Sequence, residues 1–183
     1  MLTQENFSII VSLGCLTLLI LSLLVLFFYF ANKKIKNNIL SLDYNVFMKS
    51  IFIIFLISIF GAIIYQEYYN TPVCPLCWQQ RMLIYSIGII SAISILIKDK
   101  LAHYYILTIG AFGLYIASGH YYYHYLKYVK NDLISLPCDA EGIACSESPI
   151  GAVFGFVTIP FMSICVFVPF IIISYFAYNK SRK

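Results

Sequence analysis

Apolar residues in this chain fall in long unbroken runs, and that arrangement restricts its folding more than any other feature. Five runs are long enough to consider as membrane helices, at residues 7–31, 46–65, 78–97, 101–122 and 150–178. A helix needs about 20 mostly apolar residues to cross the hydrocarbon core, and it satisfies its own backbone hydrogen bonds, as lipid demands. The third run is the weakest, since only residues 82–97 are uninterrupted. The competing reading is a set of buried helices in a large soluble protein, and composition weighs against it. Of the 183 residues, 61% are hydrophobic and 11% charged, where a soluble domain has about half and a quarter. Too little polar chain remains to wrap such a core. The expected fold class is therefore an all-α membrane protein.

The first run does not read as a cleaved signal peptide. Such peptides start basic, carry a short apolar stretch and end at small residues. Here Glu5 precedes the run, and Lys33, Lys34 and Lys36 follow it. An uncleaved anchor is expected. The basic residues also set the orientation. Lys33, Lys34, Lys36 and Lys49 lie between the first two runs, Lys98 and Lys100 between the third and fourth, and Lys180, Arg182 and Lys183 in the tail. By the positive-inside rule these segments are cytoplasmic. Five crossings follow, N-terminus out and C-terminus in, and membrane lipid is the expected surrounding. The net charge of +4 is then a topology signal, and no nucleic-acid partner is read from it.

That topology sorts the six cysteines. Cys15 and Cys165 fall inside apolar runs, where a free cysteine behaves as a small hydrophobe, and they are read as bystanders. Cys74 and Cys77 fall in one exterior loop, Cys138 and Cys145 in the other. Disulfides persist on that oxidising side.

The first pair reads Cys74-Pro75-Leu76-Cys77 and is followed by Trp78-Gln79-Gln80-Arg81 and a membrane helix. Cys-x-x-Cys alone serves zinc and redox sites alike. Its position at a helix N-terminus adds chemistry, because the helix dipole there favours a thiolate. Arg81, four residues beyond Cys77, shares its helical face and stabilises such a thiolate or donates to an anionic or carbonyl-bearing partner. A plain alternative has Arg81 snorkelling to the head groups. Cys138 and Cys145 stand in an acidic loop with Pro137 and Gly142. An exposed bridge there is more oxidising than a buried one, or else it is a permanent loop staple. Four-cysteine zinc is set aside, because the second pair lacks close spacing and lies on the oxidising side. A c-type haem needs a histidine where Trp78 stands. No metal is expected.

His120 and His124, at the outer end of the fourth run within Gly119-His120-Tyr121-Tyr122-Tyr123-His124-Tyr125, share a helical face. An interfacial aromatic belt is preferred over proton transfer as their role. Pro160 and Pro169 are expected to bend the last helix, and Gly151 and Gly155 to allow close packing there.

Cys-Pro-Leu-Cys-Trp-Gln-Gln-Arg at 74–81, the second exterior pair, and Phe154-Gly155-Phe156-Val157-Thr158-Ile159-Pro160-Phe161 together resemble the bacterial disulfide-bond formation protein B (DsbB) family. The likeness is closest to the short-loop branch known from Gram-positive BdbC proteins, and it covers residues 45–178 in four helices. The first helix is an addition to that pattern. The resemblance implies two parts, residues 1–38 as an extra transmembrane helix with a basic cytoplasmic linker and residues 39–183 as a four-helix thiol oxidase domain. It implies a quinone cofactor, ubiquinone or menaquinone, bound near Cys77 and Arg81, with His124 as the better placed histidine. Cys138 would accept the thiolate of a DsbA-like thioredoxin-fold partner, and Cys145 would then exchange with Cys74. The implied location is the bacterial cytoplasmic membrane, with the reactive cysteines outside. A membrane thiol relay running in the reducing direction stays as the other function class. It is disfavoured because Cys15 and Cys165 form no Cys-x-x-Cys. A vitamin-K-epoxide-reductase-like enzyme places its cysteine pairs in the reverse order.

Overall fold

The computed structural model describes residues 3–128, 130 and 150–182. Six helices make up these residues: α1 (Gln4–Ala31), α2 (Lys33–Ser41), α3 (Tyr44–Ile63, continued by a π turn Ile64–Tyr68), α4 (Pro75–Ile97), α5 (Ala102–Tyr128) and α6 (Ile159–Ser181). Local chemistry sets several of the boundaries. The Thr3 side chain accepts from the Asn6 N–H at the start of α1. Asn32 ends α1 and opens α2 by accepting from the Lys34 and Ile35 N–H groups. Lys98 closes α4 in the left-handed region, at φ 56°.

Among the described residues, four helical spans are long and apolar enough to cross a membrane: Gln4–Ala31, Tyr44–Tyr68, Pro75–Ile97 and Ile159–Ser181. α5 is less apolar because of its tyrosines and histidines. Its 27 residues still reach about 40 Å at roughly 1.5 Å per residue, enough to span a hydrocarbon core of about 30 Å. This is a multi-pass membrane protein.

α6 is the hub, packing against α5, α1 and α3, while α4 packs between α3 and α5. The core it organises contains Phe47, Met48, Ile51, Ile87, Phe167 and Phe170, all buried. Two glycines let the helices close. A Cβ at Gly88 of α4 would meet the Phe55 ring of α3, and one at Gly113 of α5 would overlap the Phe167 ring of α6. α1 turns Ser8 and Ser12 inward, each hydroxyl donating to the carbonyl four residues back. Leu21, Phe27 and Phe30 of α1 are exposed.

Two expectations change here. The last helix starts at Ile159 rather than near residue 150. Gly151 and Gly155 adopt positive φ, and Val153 and Val157 bridge one another in a tight loop before the helix. The two glycines therefore make a turn, with open space around them, and the close packing falls to Gly88 and Gly113. Pro160 occupies the first turn of α6, where its missing N–H costs nothing, so only Pro169 lies inside the helix. The segment read as a linker after the first helix contains α2, whose Leu40 is buried and whose Leu40 carbonyl accepts from Lys180 Nζ at 2.8 Å.

The two ends of the bundle differ in chemistry. One end gathers α2, the α4–α5 turn and the end of α6, with most of the lysines. The other gathers the start of α1, the π turn, Cys74 and the start of α6.

Candidate functional site

Cys74 is the N-cap of α4, with Pro75 beginning the helix. A cap needs an acceptor for the unpaired N–H groups of the first turn, and here the acceptor is sulfur. The Cys77 N–H donates to Cys74 Sγ at 3.3 Å. The two sulfurs share a hydrogen bond at 3.1 Å, so the pair is reduced. On its other side Cys74 Sγ lies 3.7 Å from His120 Nε2. The Cys77 thiol contributes most to holding Cys74 ionised, burial opposes it, and His120 and the Cys77 N–H add support; the net effect takes the pKa from 9.0 to about 4. The pair thus carries its charge on Cys74 and its remaining proton on Cys77. The sequence alone points to Cys77 as the sulfur favoured by the helix terminus. The cap geometry gives that position to Cys74.

His120 and His124 of α5 are both buried, with ring centroids 4.8 Å apart and nearly perpendicular. Burial removes them from an interfacial belt. It is His120 that meets the cysteines. Gln80 Nε2 contacts His120 Nδ1 at 3.0 Å. With the amide donating there, the neutral imidazole keeps its proton on Nε2, facing Cys74. Gln80 carries no role in the reading from sequence, yet a buried amide inside a membrane span is itself a sign of function.

Arg81 donates to Gln66 Oε1 of the π turn, and its guanidinium lies 5.2 Å from the Trp78 ring centroid. Cys77 and Arg81 line a mostly apolar cleft of about 550 Å³ between α1, α3, α4 and α6. That volume falls in the range of small-molecule sites, roughly 300–1,000 Å³. Gln80 lines it too, and Gln80 Oε1 is buried with no hydrogen-bond partner among the described residues. A ligand with an apolar body and polar atoms at one end fits such a cavity. Cys15 also lines it, and Cys165 is buried in α6.

Cys74, Cys77 and His120 bring three donor atoms within 4.8 Å of one another, close enough to hold a metal ion. This set differs from the four-cysteine arrangement weighed from sequence, because its nitrogen comes from α5. Cys138 and Cys145 lie outside the described residues.

A half-buried dithiol capping a membrane helix, backed by an imidazole and open to an apolar cleft, defines a membrane thiol oxidoreductase. Residues 45–177 match the family described as disulfide bond formation protein DsbB, and the chain belongs to that family. It is a membrane oxidoreductase that generates protein disulfides. The chain is 33% identical over 121 residues to the SPbeta prophage-derived disulfide bond formation protein B of Bacillus subtilis (strain 168), covering 64% of this chain and 78% of that one. It is 30% identical over 127 residues to disulfide bond formation protein C of the same organism, covering 69% and 88%. A probable disulfide formation protein C 2 of Bacillus anthracis is 29% identical over 122 residues, covering 67% and 83%. No solved structure matches the chain.

Proposed function

We propose that this protein reoxidises an extracytoplasmic, DsbA-like thioredoxin-fold protein and passes the electrons to a membrane quinone. The observation that carries the reading is the division of labour within the first cysteine pair. Cys74 faces His120, whereas Cys77 and Arg81 face the apolar cleft. A quinone fits that cleft, since its carbonyl oxygens suit the Arg81 guanidinium and its apolar remainder suits the walls. When bound it supplies an acceptor for the two electrons and two protons released by the partner's dithiol.

The chain's own residues do the rest. The partner's thiolate attacks Cys138 of the Cys138–Cys145 disulfide, and the partner's second thiol resolves that mixed disulfide. The Cys145 thiolate then attacks the oxidised Cys74–Cys77 disulfide at Cys74 and releases Cys77 as a thiolate; Cys138 resolves the Cys145–Cys74 bond, which restores Cys138–Cys145 and leaves Cys74 and Cys77 as the dithiol. Each exchange is thiolate attack on a disulfide and needs a stable leaving thiolate. While Cys74 is bonded to Cys145, Cys77 is the free sulfur, and Arg81 on the same helical face stabilises its charge. His120, its tautomer held by Gln80, keeps a proton at Nε2 beside Cys74. The clustering of lysines at the end of the bundle away from the cysteines supports an active site outside the cytoplasm. Residues 39–183 would form the oxidase domain.

The test is turnover of a reduced thioredoxin-fold partner with a short-chain quinone. Cys77→Ser and Cys138→Ser are each expected to abolish it, and a partner whose second cysteine is replaced by serine should be trapped as a mixed disulfide on Cys138 of the otherwise intact protein. Full quinone-dependent turnover in both single variants would refute the mechanism.

A further inference from the structure

α1 lies wholly outside the region that matches the family, which begins at residue 45. Nevertheless it forms one wall of the cleft. Val11, Gly14, Cys15 and Leu18 line it, spaced as one face of a helix. Ile57 and Gly61 of α3 line it as well. Both α1 and α3 rest on α6, and the cleft lies between them. A Cβ at Gly14 or at Gly61 would meet nothing within 4 Å, so both glycines border empty space. At its outer end α1 is pinned to the chain that leads into Cys74. The Phe7 and Tyr65 rings meet at 5.1 Å, and Gln4 Nε2 donates to Thr71 Oγ1 at 3.3 Å.

From this arrangement we infer that the inward face of α1 is a binding surface for the isoprenoid tail of the quinone, and that the tail runs along Gly14 and Gly61. The inference rests on the quinone reading above. Cys77 and Arg81 are at the outer end of α4, which fixes where a polar ring must lie. Gln80, with its buried unpartnered oxygen, reinforces that position. Apart from Tyr65 and the small side chains of Cys15, Ser58 and Ser163, the lining from there toward Leu18 is apolar, so it takes hydrocarbon. A phospholipid offers the same hydrocarbon and a phosphate that Arg81 could hold, but nothing for the Cys77 thiolate to react with, and competition by unlabelled quinone separates the two.

The test is photolabelling of the full-length protein in lipid nanodiscs, using a quinone that carries a diazirine on its tail, followed by peptide mapping. Label is expected within residues 10–18 of α1 and 54–62 of α3, and excess unlabelled long-tailed quinone should compete it away. A second measurement takes the ratio of binding affinities for a long-tailed and a tail-less quinone. Gly14→Phe should lower that ratio about ten-fold, equivalent to displacing roughly two methylenes, and Leu21→Phe at an exposed position of α1 should leave it alone. Label absent from α1, or present but not competed by quinone, overturns the inference, even if the quinone is still reduced. An unchanged ratio in Gly14→Phe also overturns it. If the wild type neither binds nor reduces the tail-less quinone, the quinone reading itself fails, and that result is distinct from the others.

Discussion

His120 Nε2 faces Cys74 Sγ across 3.7 Å, from a helix that begins 28 residues after Cys74 in sequence and packs against α4 in space. The contact ties the redox state of the pair to an imidazole whose own proton is placed by Gln80. Ionisation of Cys74 is therefore a property of three side chains on two helices.

With a pKa held at about 4, Cys74 in the reduced protein should react with iodoacetamide at a rate that stays level through neutral pH and falls only near pH 4. The sign for stability follows from the same shift. The reduced protein gains stability from this thiolate in full above pH 9.0, the unperturbed value, loses the gain steadily as pH falls, and has none below about 4. A thiolate stabilised in this way favours the dithiol and makes the corresponding disulfide a stronger oxidant.

His120→Ala should raise the midpoint of the Cys74 titration, followed by the ultraviolet absorbance of the thiolate. Gln80→Leu should move it the same way by less, because the ring stays but its tautomer is no longer fixed. His124→Ala should move it least. A larger shift in His124→Ala than in His120→Ala would reverse the assignment made here.

Arg81→Ala should raise the apparent KM for quinone by roughly 10- to 100-fold, the worth of a charged hydrogen bond, with a smaller change in kcat. Arg81→Lys should recover part of the loss, since it keeps the charge without the planar fork. Gln66→Ala, which frees the guanidinium from the π turn, should give a smaller rise. An unchanged KM in Arg81→Ala would reduce the residue to a head-group anchor.

Gly113→Ala tests the packing. Its Cβ would overlap the buried Phe167 ring, and overpacking of this kind costs about 1–3 kcal/mol. Thermal unfolding in detergent should show a lowered midpoint. Gly119→Ala on the same helix, with open space around it, should show no loss.

Much of the bundle is legible in the residues. Hydropathy places α1, α3 and α4 within a few positions, and the lysine distribution matches the end of the bundle away from Cys74. The spacing of Cys77 and Arg81 already puts them on one face. What escapes is decided by tertiary geometry. Residues 120 and 124 share a face of α5, so no local rule ranks them. The rotation of α5 against α4 chooses His120. Lys33–Ser41 reads as a polar linker because its helix is short and only Leu40 is buried. Residues 150–158 read as helix because they are apolar, and the left-handed backbone at Gly151, Phe154 and Gly155 carries no hydropathy signal. The cleft is invisible in sequence, since four helices build it.

A sulfur at the N-cap has a mechanical consequence. In the dithiol, Cys74 Sγ accepts the Cys77 N–H and secures the first turn of α4; once it is bonded to another sulfur its charge is gone and the cap weakens. Caps are worth about 0.5–2 kcal/mol. In the exchange proposed above, each turnover would tighten and slacken the first coil of α4, the same coil that carries Trp78 and leads into Arg81. The proposed electron flow would then carry a built-in strain gauge at that helix end.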